Sequence, residues 1–485
     1  MTTEQTVAPA EAEPQPRNAL DRFFEITRRG STIGTEVRGG LVTFVTMAYI
    51  VVLNPIILSG TPDVDGNELS FAAVGAATAL TAGVMTILFG LVSRLPFAFA
   101  AGLGINAFLA FSVVGEVTWG EAMALVVING AIIVLLSATG LRKMIFDAVP
   151  VQLKIAITVA IGLFIAFIGF VNSGFVTSTG AASPPVGLGV DGSVATIPTL
   201  LFVVTLLLTS ILIALKVKGG MLIGLIVGTV LAVIAEAVFK LGSAVDNPGG
   251  WGLTIPALQG SPISVPDLSL LGAVDFGFDL AKVSIVTLIM LVFTLVFSNF
   301  FDAMGTMTGL AKEANLADAK GDFPRIKSAL VVEGVGAIAG GLTSSSSNTV
   351  FIESGAGIGE GARTGLANIV TGVVFLLAMF FTPLTSIVPT EVAGAALVIV
   401  GAMMMSQIKS IDLTDFRVLL PVFLTATVMP LTYSIANGIG AGFISWVIIH
   451  ALSGKGKSVS PLLWVVAVGF LIYFARGPIE LLIAG

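Results

Sequence analysis

"SSSSNTVFIESGAGIGEG" runs from Ser344 to Gly361. Its composition is that of a linker: four consecutive serines, then Asn348, Thr349 and glycines at every second position from Gly355. Yet it is flanked by some of the most apolar sequence in the chain, and it carries an acid, Glu353, with no basic residue nearer than Arg363. Either this is a loop between helices, or it is non-helical backbone lying among them. The choice decides the fold.

The surrounding chain settles the solvent. Of 485 residues, 55% are hydrophobic and 11% charged, with a mean hydropathy of +1.03. Soluble domains carry about 25% charged residues. The chain reads as a polytopic membrane protein embedded in a lipid bilayer, with room for a dozen or more helices of about 20 residues. The 56 glycines suit close packing of membrane helices. There is no cysteine, so disulfides, cysteine metal sites and cysteine nucleophiles are excluded. The single histidine, His450, leaves neither a zinc site nor a Ser-His-Asp triad to build. "GAGIGEG" lacks the spacing of a dinucleotide loop, and no P-loop is present. A transporter is expected rather than an enzyme, with no cofactor, no metal and no nucleic acid partner.

Fourteen apolar segments can be marked, at 40–59, 71–92, 96–115, 121–140, 149–171, 197–215, 220–239, 284–311, 328–343, 347–360, 365–383, 387–405, 418–434 and 435–452. Lys and Arg gather on the cytoplasmic side of membranes. Here basic connections alternate with connections lacking them: Arg94, then Arg142 and Lys143, then Lys216 and Lys218, then Lys312, Lys320, Arg325 and Lys327, then Arg363, Lys409 with Arg417, and Lys455 with Lys457. Lys240 and Lys282, at the edges of one long connection, are mild exceptions. The alternation places both ends of the block in the cytoplasm. It gives a cytoplasmic tail over 1–39, seven segments over 40–240, an extracellular loop over 241–283, seven more over 284–452, and a C-terminal segment over 453–485. Within the last, 461–475 is short for a span and reads as an interfacial helix.

A weak repeat relates the halves. "VPVQLKIAITVAIGLF" from Val149 resembles "VPTEVAGAALVIVGAM" from Val388, and the stretch from Gly219 resembles that from Ala436. Matching segments stand seven apart, and an odd offset makes the repeats inverted, as in many secondary transporters. Two segments are interrupted, 96–115 and 347–360, and each is the third of its seven. Broken backbone at membrane depth is tolerated only where protein buries it or a cavity needs it. The opening stretch therefore belongs inside the membrane, facing "PFAFAAGLGINAF" (96–108). Asp302 and Glu353 are the acids deepest in apolar segments, and an intramembrane acid is a functional candidate by default. Either can bind a proton or accept two N–H donors from a flat heterocycle. Glu333 reads as structural or supporting, Glu236, Lys154 and Glu391 as snorkelling near span ends, and His450 as incidental.

Four motifs, "GGLVTFVTMAYIVVLNP" (39–55), "PFAFAAGLGINAFLAF" (96–111), "SNFFDAMGTMTGLA" (298–311) and the 344–372 stretch, resemble the AzgA-like purine permeases. These are a branch of the nucleobase:cation symporter-2, or nucleobase–ascorbate transporter, family. The resemblance covers about 39–452. It implies an all-α polytopic fold of fourteen transmembrane segments as two inverted sevens, with segments 3 and 10 part strand, part helix. It implies core parts at 40–140 and 284–383, gate parts at 149–240 and 387–452, and a homodimer. It also implies a plasma-membrane importer of hypoxanthine, guanine or adenine by alternating access, coupled to protons or to sodium. Carried over position by position, the base would be held by Asp302, Glu353, Asn106 and Thr306, with backbone of Gly104, Ile352 and Ser354 completing the pocket. Glu353 or Asp302 would carry the coupling proton. "FAAGLG" departs from the family by lacking a proline near Ala101. The rival is a sulfate- or bicarbonate-type anion carrier on a similar fold, against which an acid at Glu353 counts.

Overall fold

From Pro16 on, the polar N-terminal stretch is folded. The computed structural model describes residues 16–475 apart from 142–148, 182, 191, 253, 258–260, 281 and 319–322. Arg142, Lys143 and Lys320, part of the charge alternation, lie outside the described residues. Asn18 accepts from the Asp21 N–H and starts a short helix, α1 (Ala19–Phe24), which Glu25 ends at φ 62°. Phe24 and Ile26 are buried against Leu366. The Glu25 carboxylate reaches Arg29 at 3.1 Å, Arg94 at 3.7 Å and Arg325 at 3.8 Å, so one acid ties three stretches of chain together. Read as a tail, this stretch hid its two anchors, which lie in a short run rich in charged residues.

The first apolar segment also begins earlier than position 40. Helix α2 (Ile33–Met47) is capped by Thr32, whose side chain accepts from Thr35. Glu36 is fully buried because it accepts the N–H groups of Arg363 at 2.8 Å and Thr364 at 3.2 Å. After a bend at Ala48–Tyr49 come α3 (Ile50–Ser59), α4 (Phe71–Val92), β1 (Phe99–Ala101), α5 (Leu103–Phe108), which runs into a π turn, and α6 (Trp119–Thr139). Then follow α7 (Val151–Asn172), the hairpin β2 (Val176–Ser178) and β3 (Val186–Leu188), α8 (Ile197–Ala214) and α9 (Gly220–Phe239). The second half holds α10 (Ile285–Glu313), α11 (Ile326–Leu342), β4 (Asn348–Val350), α12 (Ser354–Gly359), α13 (Gly365–Ala378), α14 (Thr390–Met405), α15 (Phe416–Leu431), α16 (Ile435–His450) and α17 (Pro461–Phe474).

Among the described residues ten helices, α2 and α3 counting as one, are long and apolar enough to cross a membrane. The chain is a multi-pass, mostly helical membrane protein. The other four apolar segments are the shorter α11 and α15 and the two interrupted ones, β1–α5 and β4–α12. Helix α17 packs on α16 and α10 through Leu463, Val466, Ala467 and Phe470. Its 14 residues span about 21 Å, less than a hydrocarbon core of about 30 Å.

Packing follows a rule. Helix α4 lies on α13 and α6 on α11; α8 lies on α9 and α15 on α16; α7 meets α15 and α14 meets α8. Number the fourteen segments in order and each of these contacts recurs when seven is added to its members. Two contacts map onto themselves: α7 on α14, and β1 on β4. Glycine makes the first of these close. A Cβ on Gly162 would lie 2.7 Å from the Gly401 carbonyl oxygen, and one on Gly394 would lie 2.8 Å from that of Gly169. Small residues at such crossings let backbones touch where lipid gives no hydrophobic drive. Most helix–helix contacts fall within α2–α6 and α10–α13 or within α7–α9 and α14–α16, and fewer run between these sets.

Two acids near helix ends do something other than snorkel. Glu236 accepts the indole N–H of buried Trp251 at 2.8 Å, and Glu391 accepts the Gly252 N–H at 2.9 Å. Together they pin the connection after α9 onto α9 and α14. His450 stacks on Trp446 with ring centroids 4.3 Å apart.

Candidate functional site

The opening stretch lies in the middle of this packing. β1 and β4 pair antiparallel, Phe99 opposite Val350 and Ala101 opposite Asn348. Bonds from Gly102 N–H to Ser347 O and from Phe351 N–H to Ala98 O, both 2.9 Å, extend the ladder at its ends. Two three-residue strands cannot satisfy their outer edges, so side chains do. The Thr86 hydroxyl bonds both the N–H and the carbonyl of Phe99. Asn368 donates to Phe97 O at 2.7 Å. The Ser354 hydroxyl accepts from Ala98 N–H at 3.0 Å and donates to Phe351 O at 2.7 Å. A buried backbone group left unpaired costs free energy comparable to a lost hydrogen bond, and these bonds remove that cost.

The serine run has the same use. Asn54 donates to the Ser345 carbonyl at 3.0 Å, Asn299 to the Ser347 hydroxyl at 3.0 Å, and Asn348 to the Ser345 hydroxyl at 3.1 Å. Ser344 and Ser346 turn the chain at φ 58° and 71°. All of Ser344–Thr349 is buried.

Beside the strand pair lies a cavity of about 670 Å³, within the usual range for small-molecule sites. Of the seven residues singled out from the sequence, Asp302, Thr306, Gly104, Ile352 and Glu353 line it. Asp302 and Thr306 stand one turn apart on α10, so both face the same way. Asp302 has no hydrogen bond or ion pair among the described residues. Glu353 sits at the start of α12, where the first backbone N–H groups lack helical acceptors. Gly104 lets α5 approach α7: a Cβ there would be 2.7 Å from Ile161 Cγ2.

Two singled-out residues fall outside the cavity. Asn106 is fully buried, and its side chain donates to Asn54 at 2.6 Å, behind the strands. Ser354 spends its hydroxyl on the strand backbone, as described. Both hold the frame of the site. Glu333 is likewise fully buried and away from the cavity wall.

The structure adds wall residues that the sequence did not single out. Thr46 and Tyr49 come from the first segment, Ser406 and Gln407 from the end of α14, and Lys216 and Lys218 from the α8–α9 turn. The signal for Tyr49 was there: it is one of three tyrosines in the chain and falls inside the quoted 39–55 motif. Lys218 pairs with Glu360, which also holds Arg38 at 2.9 Å. This lattice bridges the two helix groups at the cavity's rim.

Two carboxylates from different helices thus face one cavity beside a crossed strand pair. The Permease family model (Xan_ur_permease) matches residues 34–441, nearly all of the helical block. The chain belongs to this permease family. Membership makes it a transporter and not an enzyme. The permease is 38% identical to the guanine/hypoxanthine permease PbuG of Bacillus subtilis over 94% of this chain and 99% of that one. It is 34% identical to the adenine permease AdeP of Escherichia coli, over 93% and 95% respectively. Among solved structures, it superposes on the transmembrane domain of the cyanobacterial bicarbonate transporter BicA with a TM-score of 0.59 at 16% identity. That match covers 83% of the permease and 96% of that transmembrane-domain chain, and it establishes the shared fold.

Proposed function

We propose that this permease imports purine nucleobases, with hypoxanthine, guanine and adenine as the candidates, across the plasma membrane by proton symport. The observation that carries the reading is the pair Asp302 and Glu353 lining one cavity, with no cation paired to Asp302 among the described residues. A purine presents N–H groups along its edge, and a carboxylate accepts two at once. The names of PbuG and AdeP point to the same substrate class. An anion carrier would bring its cargo against two acids, so the likeness to BicA supports the fold and not the cargo.

The mechanism is alternating access between two inverted sets of seven segments. Packing contacts that recur at an offset of seven segments support that symmetry. Helices α2–α6 and α10–α13 act as the core that carries the strand pair, and α7–α9 with α14–α16 as the gate. Lys216, Lys218, Ser406 and Gln407 line the cavity, and Lys216 and Lys218 belong to a connection that charge alternation assigns to the cytoplasm. In this reading the end away from these residues is closed by aromatic rings. Tyr433 of the gate takes Phe111 of the core edge-on at 5.4 Å and Phe164 of α7 at 5.4 Å. In this reading the arrangement is inward-open. Replacing Tyr433 by alanine is expected to raise uncoupled efflux of preloaded hypoxanthine from proteoliposomes. Efflux at the native rate would mean that these rings do not seal the outer end.

The assignment as a whole is tested by uptake of labelled hypoxanthine into cells carrying the chain, with adenine, guanine and uracil as competitors. Competition by purines and not by uracil, and collapse of accumulation with a protonophore, are expected. Accumulation that survives the protonophore and follows a sodium gradient would reassign the coupling ion. Absence of purine competition would reject the substrate class.

A further inference from the structure

Tyr49 is buried, 1% exposed, at the bend between α2 and α3. Its hydroxyl donates to Glu353 Oε1. One turn earlier, the Thr46 hydroxyl lies 3.3 Å from the Glu353 carbonyl oxygen. Residues three apart share a helix face, so the first segment grips Glu353 at both its side chain and its backbone. Tyr49 and Thr46 line the cavity too. The tyrosine bond occupies one carboxylate oxygen and leaves the other for whatever enters.

From this geometry we infer that Tyr49 is a positioning residue of the permease, fixing the Glu353 carboxylate so that Oε2 presents to the substrate's N–H edge. The inference rests on the reading of Glu353 as a substrate residue. A phenol suits the task. Its ring fills the bend, and its hydroxyl donates to a carboxylate while competing poorly for the bound base. If the hydroxyl only satisfied a buried oxygen, its removal would alter stability and leave substrate affinity alone.

The test uses the full chain, purified and reconstituted, in four forms: native, Tyr49→Phe, Glu353→Gln and the double variant. Phenylalanine keeps the ring and removes one oxygen. The readouts are hypoxanthine binding by calorimetry, KM and Vmax of uptake, and the thermal midpoint. Tyr49→Phe is expected to weaken binding and raise KM by about tenfold or more, the scale of a lost hydrogen bond to a charged group. Its Vmax stays within a few-fold of native. In the Glu353→Gln background the same change costs clearly less than in the native chain, because the two residues act as one unit. A native KM in Tyr49→Phe, or a loss that adds in full to that of Glu353→Gln, overturns the inference. If Glu353→Gln itself binds and accumulates hypoxanthine normally, the reading of Glu353 falls and takes this inference with it. A defective Glu353→Gln beside a normal Tyr49→Phe removes the tyrosine's role alone.

Discussion

Replacing Glu353 with glutamine is expected to abolish concentrative hypoxanthine uptake while leaving the protein inserted. The change keeps the volume of the side chain and an oxygen to receive the Tyr49 hydroxyl, so the bend of the first segment retains its anchor. It removes the charge and the site where a proton can ride. A hydrogen bond to a charged group contributes about 1.5–3 kcal/mol, or roughly 10- to 150-fold in affinity, so binding weakens. Coupling suffers more, because an amide does not titrate. Accumulation under an imposed pH gradient should vanish, while slow exchange of labelled for unlabelled base persists. Asp302→Asn, on the facing helix, should weaken binding and leave some pH-driven accumulation if Glu353 is the proton carrier. Normal pH-dependent accumulation in Glu353→Gln would falsify the assignment.

Sequence and structure agree where composition and period speak, and part where single residues act at a distance. The stretch from Ser344 to Gly361 was legible as intramembrane backbone because a polar, acid-bearing run stood in a long apolar block. Asp302 was legible because an acid is conspicuous among phenylalanines and methionines. Both face the cavity. Asn106 was singled out through the family resemblance, and its position gave no hint that Asn54, 52 residues away, would take its amide. Ser354 stood beside Glu353 and was read as its companion, whereas its hydroxyl serves Ala98 on the other broken segment. Phe24, Ile26 and Tyr49 were not singled out. Each needs a partner brought by tertiary folding, Leu366 for the first two and Glu353 for the third. Periodicity reports which face of a helix is apolar; it does not report which remote backbone a side chain will serve. Glu236 and Glu391 show the same limit, since the loop residues Trp251 and Gly252 that they hold stand 15 and 139 residues from them, beyond any helical period.

The second large effect concerns the frame and not the cavity wall. Gly340 and Gly309 are both helical glycines, so alanine should help each by roughly 1 kcal/mol on helix propensity alone. Their surroundings reverse that for one of them. A Cβ on Gly309 meets nothing within 4 Å. A Cβ on Gly340 would lie 1.7 Å from the Ser346 carbonyl oxygen and 2.9 Å from the Asn348 side-chain nitrogen. That oxygen is backbone and cannot rotate away. The same turn is held from below, since the Ser345 N–H donates to the Gly340 carbonyl at 2.9 Å. Relief requires the entry to β4 to shift by about 2 Å to regain van der Waals distance. Overpacking of this kind costs about 1–3 kcal/mol or more. The strain runs along a short path, because β4 leads within three residues to Glu353. Gly340→Ala is therefore expected to lower the thermal midpoint and to reduce hypoxanthine binding, whereas Gly309→Ala leaves the midpoint unchanged or raised. Equal midpoints for the two variants in fluorescence-detected melting would show that the strand entry yields freely. The serine run would then be a loose loop, and its hydrogen bonds would not fix where Glu353 stands.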